Sequence, residues 1–560
     1  MIYDIRLIRN FKELIEGSAE AYPQNPAFLY KEEGEVKTVT YREALDDIKS
    51  LVSFFVSKGL KDQKILLMGS NCYGWAVSYL AVCCGVGVII PTDKELTCSD
   101  VENIIATTDA KAIIYTENCT EGRMAAEKTG VAQFDLSCLS EYIDEGNALR
   151  QRGDSSYENH KTDPDGAGII IFTSGTSGKP KGVMLSQYNI CSDIMSVLKR
   201  IKVEPSDRVL SVLPLHHTYE CTAGFLAVLY CGASIAYAES IRRMVGDMKI
   251  FKPTLFVTVP LILQNIYSTL NKKIKNDNTM KAKMKAADVI NRSLRRVGIN
   301  ASDRIYKTVH EAFGGRLRAF LCGAAPLSPE LYEAFTSFGF DVYCGYGLTE
   351  TSPVIIMHDD FCKGAHHTGY PICDVSVKID EPDEFGVGQI AVKGPNVMLG
   401  YYNDEAETSK VLKDGWFYTG DLGRRNEDGT YTVTGRIKSM IVLKNGKKIQ
   451  PEELEAKLEA SPLVCECMVA DVLNPATGDS VVTAFIYPDG DGVKEALEKD
   501  KNTDKSYDER VKLLLKALVK SVNAEQAHFK HIHSVVVRKT EFVKTTTKKI
   551  KRTDEENLKR

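Results

Sequence analysis

Between Thr38 and Tyr115 the apolar positions switch period again and again. "TYREALDDIKSLVSFFVSKGL" and "VENIIATTDA" repeat apolar residues at helical spacing, whereas "KILLMGS" and "KAIIY" are short apolar runs of strand length. The uncharged run Asn71 to Thr92 reads as a buried helix over Trp75 to Cys84, then a strand over Val86 to Ile90 ended by Pro91. Cys221 to Ala238 repeats the scheme of buried helix, Gly turn and buried strand. Gly and polar residues interrupt both runs and basic flanks are missing, which argues against a membrane span. Such alternation predicts an α/β sheet with crossover helices.

Further along, Gly146 to Gly166 reads as a linking loop. Ile169 to Phe172 is a short strand, and "GVMLSQYNI" starts a helix after a turn. Leu270 to Tyr306 is long, basic and helical, a solvated pair of surface helices. "RRNEDGTYTVTGR" places Asp428-Gly429 between two strand-like runs, a hairpin signal. After Arg436 the pattern becomes that of a smaller α+β segment, with a polar insertion from Pro488 to Arg510. No internal repeat is visible.

A chain of 560 residues is too long for one core, so two or more domains are expected. Its net charge of −4 gives no reason to expect nucleic acid or an anionic membrane as partner. The basic stretch Asn271 to Lys283 is read as solvated helix, and peripheral contact with a membrane stays open. Fifteen Cys without CxxC, after an N-terminus charged too early for a secretory signal, read as reduced thiols packed in the core of a cytoplasmic protein.

The chemistry concentrates in "TSGTSGKPKG", Thr173 to Gly182, a small, polar and flexible loop after a strand. Gly lets backbone approach a ligand closely, and successive N–H groups with hydroxyls and Lys make a cup for phosphate. It is not the GxxxxGK[ST] loop, because Thr173 stands where the first Gly belongs and Pro180 follows Lys179. Nor do Gly85 and Gly87 start a GxGxxG, since the third Gly falls on Ile90.

"TSGTSGKPKG" closely resembles the phosphate loop of the adenylate-forming (AMP-binding) superfamily. Further motifs of that superfamily follow in order: "LPLHH" at Leu213, "GAAPL" at Gly323, "YGLTE" at Tyr346, "GYYN" at Gly400, "YTGD" at Tyr418, "GRIKSMIVLKNGKKIQPEELE" at Gly435 and "KTTTKKIKR" at Lys544. The resemblance spans almost the whole chain and is greatest to the long-chain acyl-CoA synthetases, on the evidence of "LPLHHTYE" and of the helical stretch leading to "RIYKTVHEAFGGRLRAFLCGAAPL". It implies an α/β fold: a large N-terminal domain, residues 1–435, of doubly wound mixed sheets plus a β-barrel-like part, a hinge at 436–439, and a small mobile α+β domain, 440–560.

The resemblance also implies roles. Thr173, Ser174, Gly175, Thr176, Ser177, Gly178 and Lys179 would hold the β- and γ-phosphates of ATP, with Lys181 less firmly assigned. Tyr346 would stack on adenine between Gly345 and Gly347, and Gly323, Ala324 and Ala325 would line the other side of the base. Ala324 departs from the usual Gly or Ser. Glu350 would hold Mg²⁺, a hard ion that keeps oxygen ligands, and Thr349 would donate to the α-phosphate. Asp421 would bind the ribose hydroxyls and Arg436 the ribose or phosphate. His217 would gate the route of the thiol, the family spacing P-L-x-H selecting it over His216. Lys549 would bridge carboxylate and α-phosphate, although Lys548 and Val543 replace the usual Gly and Pro around it. Lys438 would be the hinge, and Gly446 would flank the pantetheine channel.

The implied reaction activates a medium- or long-chain fatty acid as acyl-adenylate with release of pyrophosphate, then passes the acyl group to CoA. Expected ligands are ATP, Mg²⁺, CoA and the carboxylic acid. No carrier segment of the "GGxS" kind follows Arg552, which favours a free thiol. Alternatives are an aryl- or steroid-acid CoA ligase, an acyl–carrier-protein ligase, and a binding or scaffold protein on an inactive ligase fold. Spacing does not size the acid pocket or fix the oligomeric state.

Overall fold

The helices begin where the side chains supply caps. Thr40 with Glu43, Thr97 with Asp100 and Ser186 with Asn189 form capping boxes that open the helices Tyr41–Ser57, Cys98–Thr108 and Gln187–Leu198. The computed structural model describes residues 2–173, 180–276, 302–443, 448–473, 480–498, 505–544, 550–552 and 554–559.

Two large mixed sheets dominate. One has seven strands in the order Gly400–Tyr401, Lys181–Ser186, Ala167–Thr173, Gly87–Thr92, Gln63–Met68, Ala112–Tyr115 and Ala132–Asp135. The other has nine: Tyr370–Pro371, Val354–Met357, Asp341–Gly347, Ala319–Cys322, Leu255–Thr258, Arg208–Ser211, Ser234–Tyr237, Pro26–Glu32 and Glu35–Thr40. The strands inside each sheet run parallel; antiparallel pairs close both edges of the nine-stranded sheet and one edge of the seven-stranded sheet, whose other edge strand, Ala132–Asp135, is parallel, as expected of doubly wound sheets covered on their faces. A third sheet has five strands, Ser376–Asp380, Gly388–Lys393, Trp416–Arg425, Leu412–Lys413 and Tyr431–Arg436. Gly429 takes φ +85° in the Asp428-Gly429 turn, the conformation that makes this dipeptide a hairpin signal.

Some elements differ from the sequence reading. Residues 182–186 are strand, not a turn into a helix: Phe172 pairs with Gly182 and Ile171 with Val183. The helix Leu139–Gln151 runs through Gly146, where a loop was expected. A Cβ there would lie 1.9 Å from the Ser50 carbonyl, so Gly146 is a point of close helix contact. The helix Tyr73–Ala81 continues as a π-helix, Val82–Val86, and Pro91 lies within the strand Gly87–Thr92 instead of ending it. The helix Gly490–Glu498 occupies part of the segment read as a polar insertion. Residues 277–301, most of the basic helical stretch, lie outside the described residues.

The chain divides into two compact units. The first is Met1–Lys378, Ala391–Tyr418 and Asp428–Tyr431; the second is Ile379–Ile390, Thr419–Glu427 and Thr432–Arg560. In the first, Phe28, Trp75, Tyr79 and Phe225 are fully buried in one aromatic-rich core. The second packs the strands Val464–Leu473, Ser480–Pro488 and Ser534–Val537 with the helices Pro451–Glu459 and Tyr507–Ala524 around Leu454, Val469, Ile486 and Leu515. Among the described residues no helix is long and apolar enough to cross a membrane.

Candidate active site

In the first unit several of the predicted residues lie where parallel strands of the nine-stranded sheet end, the edge at which open α/β sheets receive ligands. Strand Ala319–Cys322 runs into Gly323, Ala324 and Ala325; its neighbour Asp341–Gly347 ends in Gly345, Tyr346 and Gly347, with Cys322 opposite Cys344. Strand Arg208–Ser211 leads to Leu213–His217.

The protein itself explains some of these glycines. A Cβ on Gly323 would come within 2.9 Å of the Tyr219 ring, whose hydroxyl donates to the Leu321 carbonyl. A Cβ on Gly347 would fall 1.7 Å from the Pro353 carbonyl oxygen. Gly345 differs: among the described residues its Cβ would meet no heavy atom nearer than 3.9 Å. Ala324 takes φ +68°, a left-handed conformation that costs a non-glycine residue about 1 kcal/mol, which gives a reason for Gly at this position but not for Ser.

Thr349 and Glu350 open a short 3-10 turn, Thr349–Thr351, directly after that strand. Tyr401 Oη donates to Glu350 Oε1 at 3.0 Å, and Met398 N donates to the Glu350 carbonyl at 2.9 Å. Tyr401 is buried, and burial beside Glu350 pushes its phenol well above the ordinary range, so it is a donor at any working pH. One fixed carboxylate of this kind would suit Mg²⁺, which takes one or two protein carboxylates and fills its shell with water and phosphate oxygens.

Thr173 closes the strand that precedes the phosphate loop and pairs with Lys181 across the hairpin. Lys181 Nζ lies 2.5 Å from Glu407 Oε2 and 4.9 Å from the centre of the Tyr401 ring. It is therefore an engaged cation, one side chain away from Glu350. Ser174 to Lys179, Gly446 and Lys549 lie outside the described residues.

The two histidines are in different environments. His216 is 6% exposed, and burial with the Lys94 charge pushes its pKa down to about 3. Its Nε2 stands 3.6 Å from Asp93 Oδ2, but a neutral imidazole makes no ion pair there. His217 is partly exposed, its ring centre 4.1 Å from that of His216. Their loop is held by Asn71, whose Nδ2 donates to the Leu213 carbonyl and to Ser211 Oγ and whose Oδ1 accepts from Leu215 N.

In the second unit Asp421 is buried and Arg436 Nε lies 3.0 Å from Asp421 Oδ1, so the two residues assigned to ribose and phosphate form an ion pair. Lys438 is exposed in the turn Ile437–Ser439. On either side of residues 545–549, Lys544 pairs with Glu466, and Arg552 pairs with Glu455 and donates to the Val469 carbonyl.

Sequence reasoning assigned no role to Tyr401, although it quoted "GYYN", and none to Asn396 or Asp193. Tyr401 had a signal, a phenol inside a recognised motif. Asn396 and Asp193 had none, because one lies in a loop and the other on a helix far away in the chain.

The model of the AMP-binding enzyme family matches residues 15–402, and that of the AMP-binding enzyme C-terminal domain matches 438–560. A long-chain-fatty-acid–CoA ligase of Mycobacterium bovis is 28% identical over 552 residues, covering 92% of this chain and 90% of that one. A chloroplastic long-chain-fatty-acid–[acyl-carrier-protein] ligase of Arabidopsis thaliana is 27% identical over 82% of this chain and 74% of its own. Among solved structures, an anthranilate CoA ligase in complex with anthranoyl-AMP superposes with a TM-score of 0.77 at 17% identity, covering 99% and 98% of the two chains. The chain belongs to the AMP-binding enzyme family of adenylate-forming proteins, and its relatives include long-chain-fatty-acid–CoA ligases.

Proposed function

We propose that the protein is an ATP-dependent acid–thiol ligase that activates a medium- or long-chain fatty acid and transfers it to CoA. A carboxylate oxygen attacks the α-phosphorus, the bond to the bridging oxygen breaks, and pyrophosphate leaves. The thiolate of CoA then attacks the acyl carbon and AMP departs with the electrons of the C–O bond. The first step brings two anions together, so donors fixed in advance lower its barrier.

The observation that carries this reading is the fixed carboxylate of Glu350, held by Tyr401 Oη at 3.0 Å, on the turn that follows the Gly345–Gly347 strand end. In this proposal the base lies against Gly345 and Tyr346, with Gly323 to Ala325 on its other side. Thr349 donates to the α-phosphate, and Glu350 would hold Mg²⁺, whose charge would screen the phosphates. Thr173 to Lys179 hold the β- and γ-phosphates. Asp421, oriented by Arg436, accepts from the ribose hydroxyls. Lys549 joins the reacting carboxylate and phosphate, and His217 gates the thiol.

The domain scheme, 1–435 with a hinge at 436–439 and a mobile 440–560, belongs to the same proposal. Rotation at Lys438 withdraws Lys549 after adenylation and brings Gly446 beside the pantetheine arm, one short segment absorbing the dihedral change. A cytoplasmic location accompanies it.

The test is acyl-hydroxamate trapping with ATP, Mg²⁺ and a panel of fatty and aryl acids, followed by thioester formation with CoA or acyl carrier protein. Hydroxamate from C8–C18 fatty acids and thioester with CoA support the reading. Preference for aryl acids, or for carrier protein as one relative's name suggests, replaces the corresponding half. Failure with every acid removes the ligase reading itself.

A further inference from the structure

Asp193 and Asn396 are both fully buried, one on the helix Gln187–Leu198 and the other in the loop that leads to Tyr401. The amide of Asn396 grips both ends of the turn that carries Glu350. Its Nδ2 donates to the Thr351 carbonyl at 2.9 Å and to the Val354 carbonyl at 2.8 Å. The opposite amide orientation would set an oxygen against two carbonyls, so the side of the NH₂ group is fixed. Val354 N donates to Asp193 Oδ1 at 3.1 Å, and Asn396 Nδ2 lies 3.4 Å from the same oxygen.

Two oxygens remain. Asp193 Oδ2 and Asn396 Oδ1 are buried, and among the described residues neither has a hydrogen-bond partner. An unsatisfied buried acceptor is costly, and an ionised carboxylate more so. A hydrogen on Asp193 Oδ2 would neutralise the carboxylate and offer the buried Asn396 Oδ1 a donor. Burial pushes this carboxyl well above the ordinary carboxylate range against the pull of the Asn396 and Val354 donors, which agrees with that state.

We propose that Asp193 stands as a neutral acid donating from Oδ2 to Asn396 Oδ1, and that this acid–amide pair is the positioning element for Thr349 and Glu350. The inference rests on the reading of Glu350 given above. The pair acts at a distance. Asn396 fixes Thr351 and Val354 around the turn, Asn189 Nδ2 holds the Pro395 carbonyl at 2.7 Å, and Met398 and Tyr401 bond Glu350 directly. Neither member of the pair touches substrate in this account.

The experiment compares Asp193→Asn, Asp193→Ala and Asn396→Asp with wild type in three readouts: melting temperature, the Kd for Mg·ATP by calorimetry, and the Mg²⁺ concentration giving half-maximal acid-dependent ATP–pyrophosphate exchange. Asp193→Asn keeps an acceptor for Val354 N and puts an N–H toward Asn396 Oδ1. It retains all three values, within about twofold for the Kd and Mg²⁺ requirement. Asp193→Ala leaves Asn396 Oδ1 without a donor, and Asn396→Asp removes the donors to Thr351 and Val354. Each raises the Kd and the Mg²⁺ requirement by about tenfold, the scale of one lost buried partner.

Equal damage from Asp193→Asn and Asp193→Ala, including failure of Asp193→Asn to fold, overturns the neutral-acid assignment. A lower melting temperature in Asp193→Ala and Asn396→Asp with wild-type Kd and Mg²⁺ requirement overturns the positioning role. If wild type binds Mg·ATP but exchanges pyrophosphate with no acid, the ligase reading fails while the Kd comparison still decides this proposal.

Discussion

Gly345→Ala separates what the scaffold requires from what a nucleotide requires. Gly345 lies in an extended strand opposite Met357, outside the positive-φ region, and among the described residues an added Cβ would have the Ile356 carbonyl oxygen and Met357 Cβ as its nearest neighbours, each at 3.9 Å. These are ordinary contacts, so the folded protein tolerates alanine. Replacing Gly by Ala where the backbone permits it stabilises by about 0.4–1 kcal/mol through the unfolded chain. The melting temperature is therefore expected to hold or rise slightly. If adenine packs on this strand face, the new methyl intrudes on it. Overpacking costs about 1–3 kcal/mol, which corresponds to a loss of roughly 5- to 150-fold in affinity for Mg·ATP.

Gly347→Ala is the internal contrast. Its Cβ would lie 1.7 Å from the Pro353 carbonyl oxygen, and Leu348 N bonds that same carbonyl, so the turn has to move. Stability and binding are expected to fall together. Melting temperature by scanning fluorimetry and Kd for Mg·ATP by calorimetry distinguish the two variants. Wild-type affinity in a stable Gly345→Ala protein would refute the reasoning, because the base would then not lie against this strand.

Three further outcomes are expected. Tyr401→Phe removes the 3.0 Å donor to Glu350 Oε1; a hydrogen bond to a charged group contributes about 1.5–3 kcal/mol, so the Mg²⁺ requirement of pyrophosphate exchange should rise at least tenfold, and an unchanged Mg²⁺ titration would contradict the placement of the ion. Glu220 is buried, accepts from Ser211 Oγ at 2.6 Å, and burial raises its pKa from 4.5 to about 8. Its native form holds a proton that the unfolded chain releases near 4.5, so its contribution is full below that pH and is lost as pH rises through about 8. Glu220→Gln should flatten the fall in melting temperature between pH 5 and 9, and an identical slope in the variant would reject the neutral state. Finally, Lys549→Ala should slow adenylation by roughly 10²–10³, the scale for one aimed electrostatic donor, whereas Lys438→Pro should spare adenylation and cut thioester formation; equal loss in both half-reactions for Lys438→Pro would argue against the hinge.

The parallel sheets were legible because their strands are short uniform apolar runs, such as Ile65 to Met68 and Ala112 to Tyr115, set between helices. Where packing overrides local signals the reading failed. Gly146 looks like a loop residue, but it lets the helix Leu139–Gln151 come within contact of the Ser50 carbonyl. Residues 182–186 looked like a turn into a helix, because the pairing of Val183 with Ile171 is visible only once the loop between them is known to be a hairpin connection. Motifs located the site residues and left their partners undetermined. The spacing around Pro214 selects His217 over His216, but only burial reveals that the His216 imidazole is neutral. "YTGD" and "GR" give Asp421 and Arg436 separately, while their ion pair depends on neighbouring strands.

On the proposed reading of Glu350, residues 394–402 explain how two motifs far apart in sequence would serve one ion. Tyr402 N and Leu399 N donate to the Gly182 and Met184 carbonyls, which fixes this segment along the strand that follows the phosphate loop. Met398 N and Tyr401 Oη hold Glu350, and Asn396 spans the turn beyond it. Lys181, on that strand, is paired with Glu407 and lies over the Tyr401 ring, so the phenol that orients Glu350 is itself held in place by the base of the hairpin. A metal that must touch both a carboxylate and phosphate oxygens needs these two walls at a constant separation, because its ligand distances tolerate little variation. A connecting segment bonded to both walls meets that need better than two independent loops would, since its backbone bonds on both sides are made before any ligand arrives. On this argument "GYYN" belongs to the family pattern for a mechanical reason: its first Tyr joins the phosphate-loop hairpin to the carboxylate.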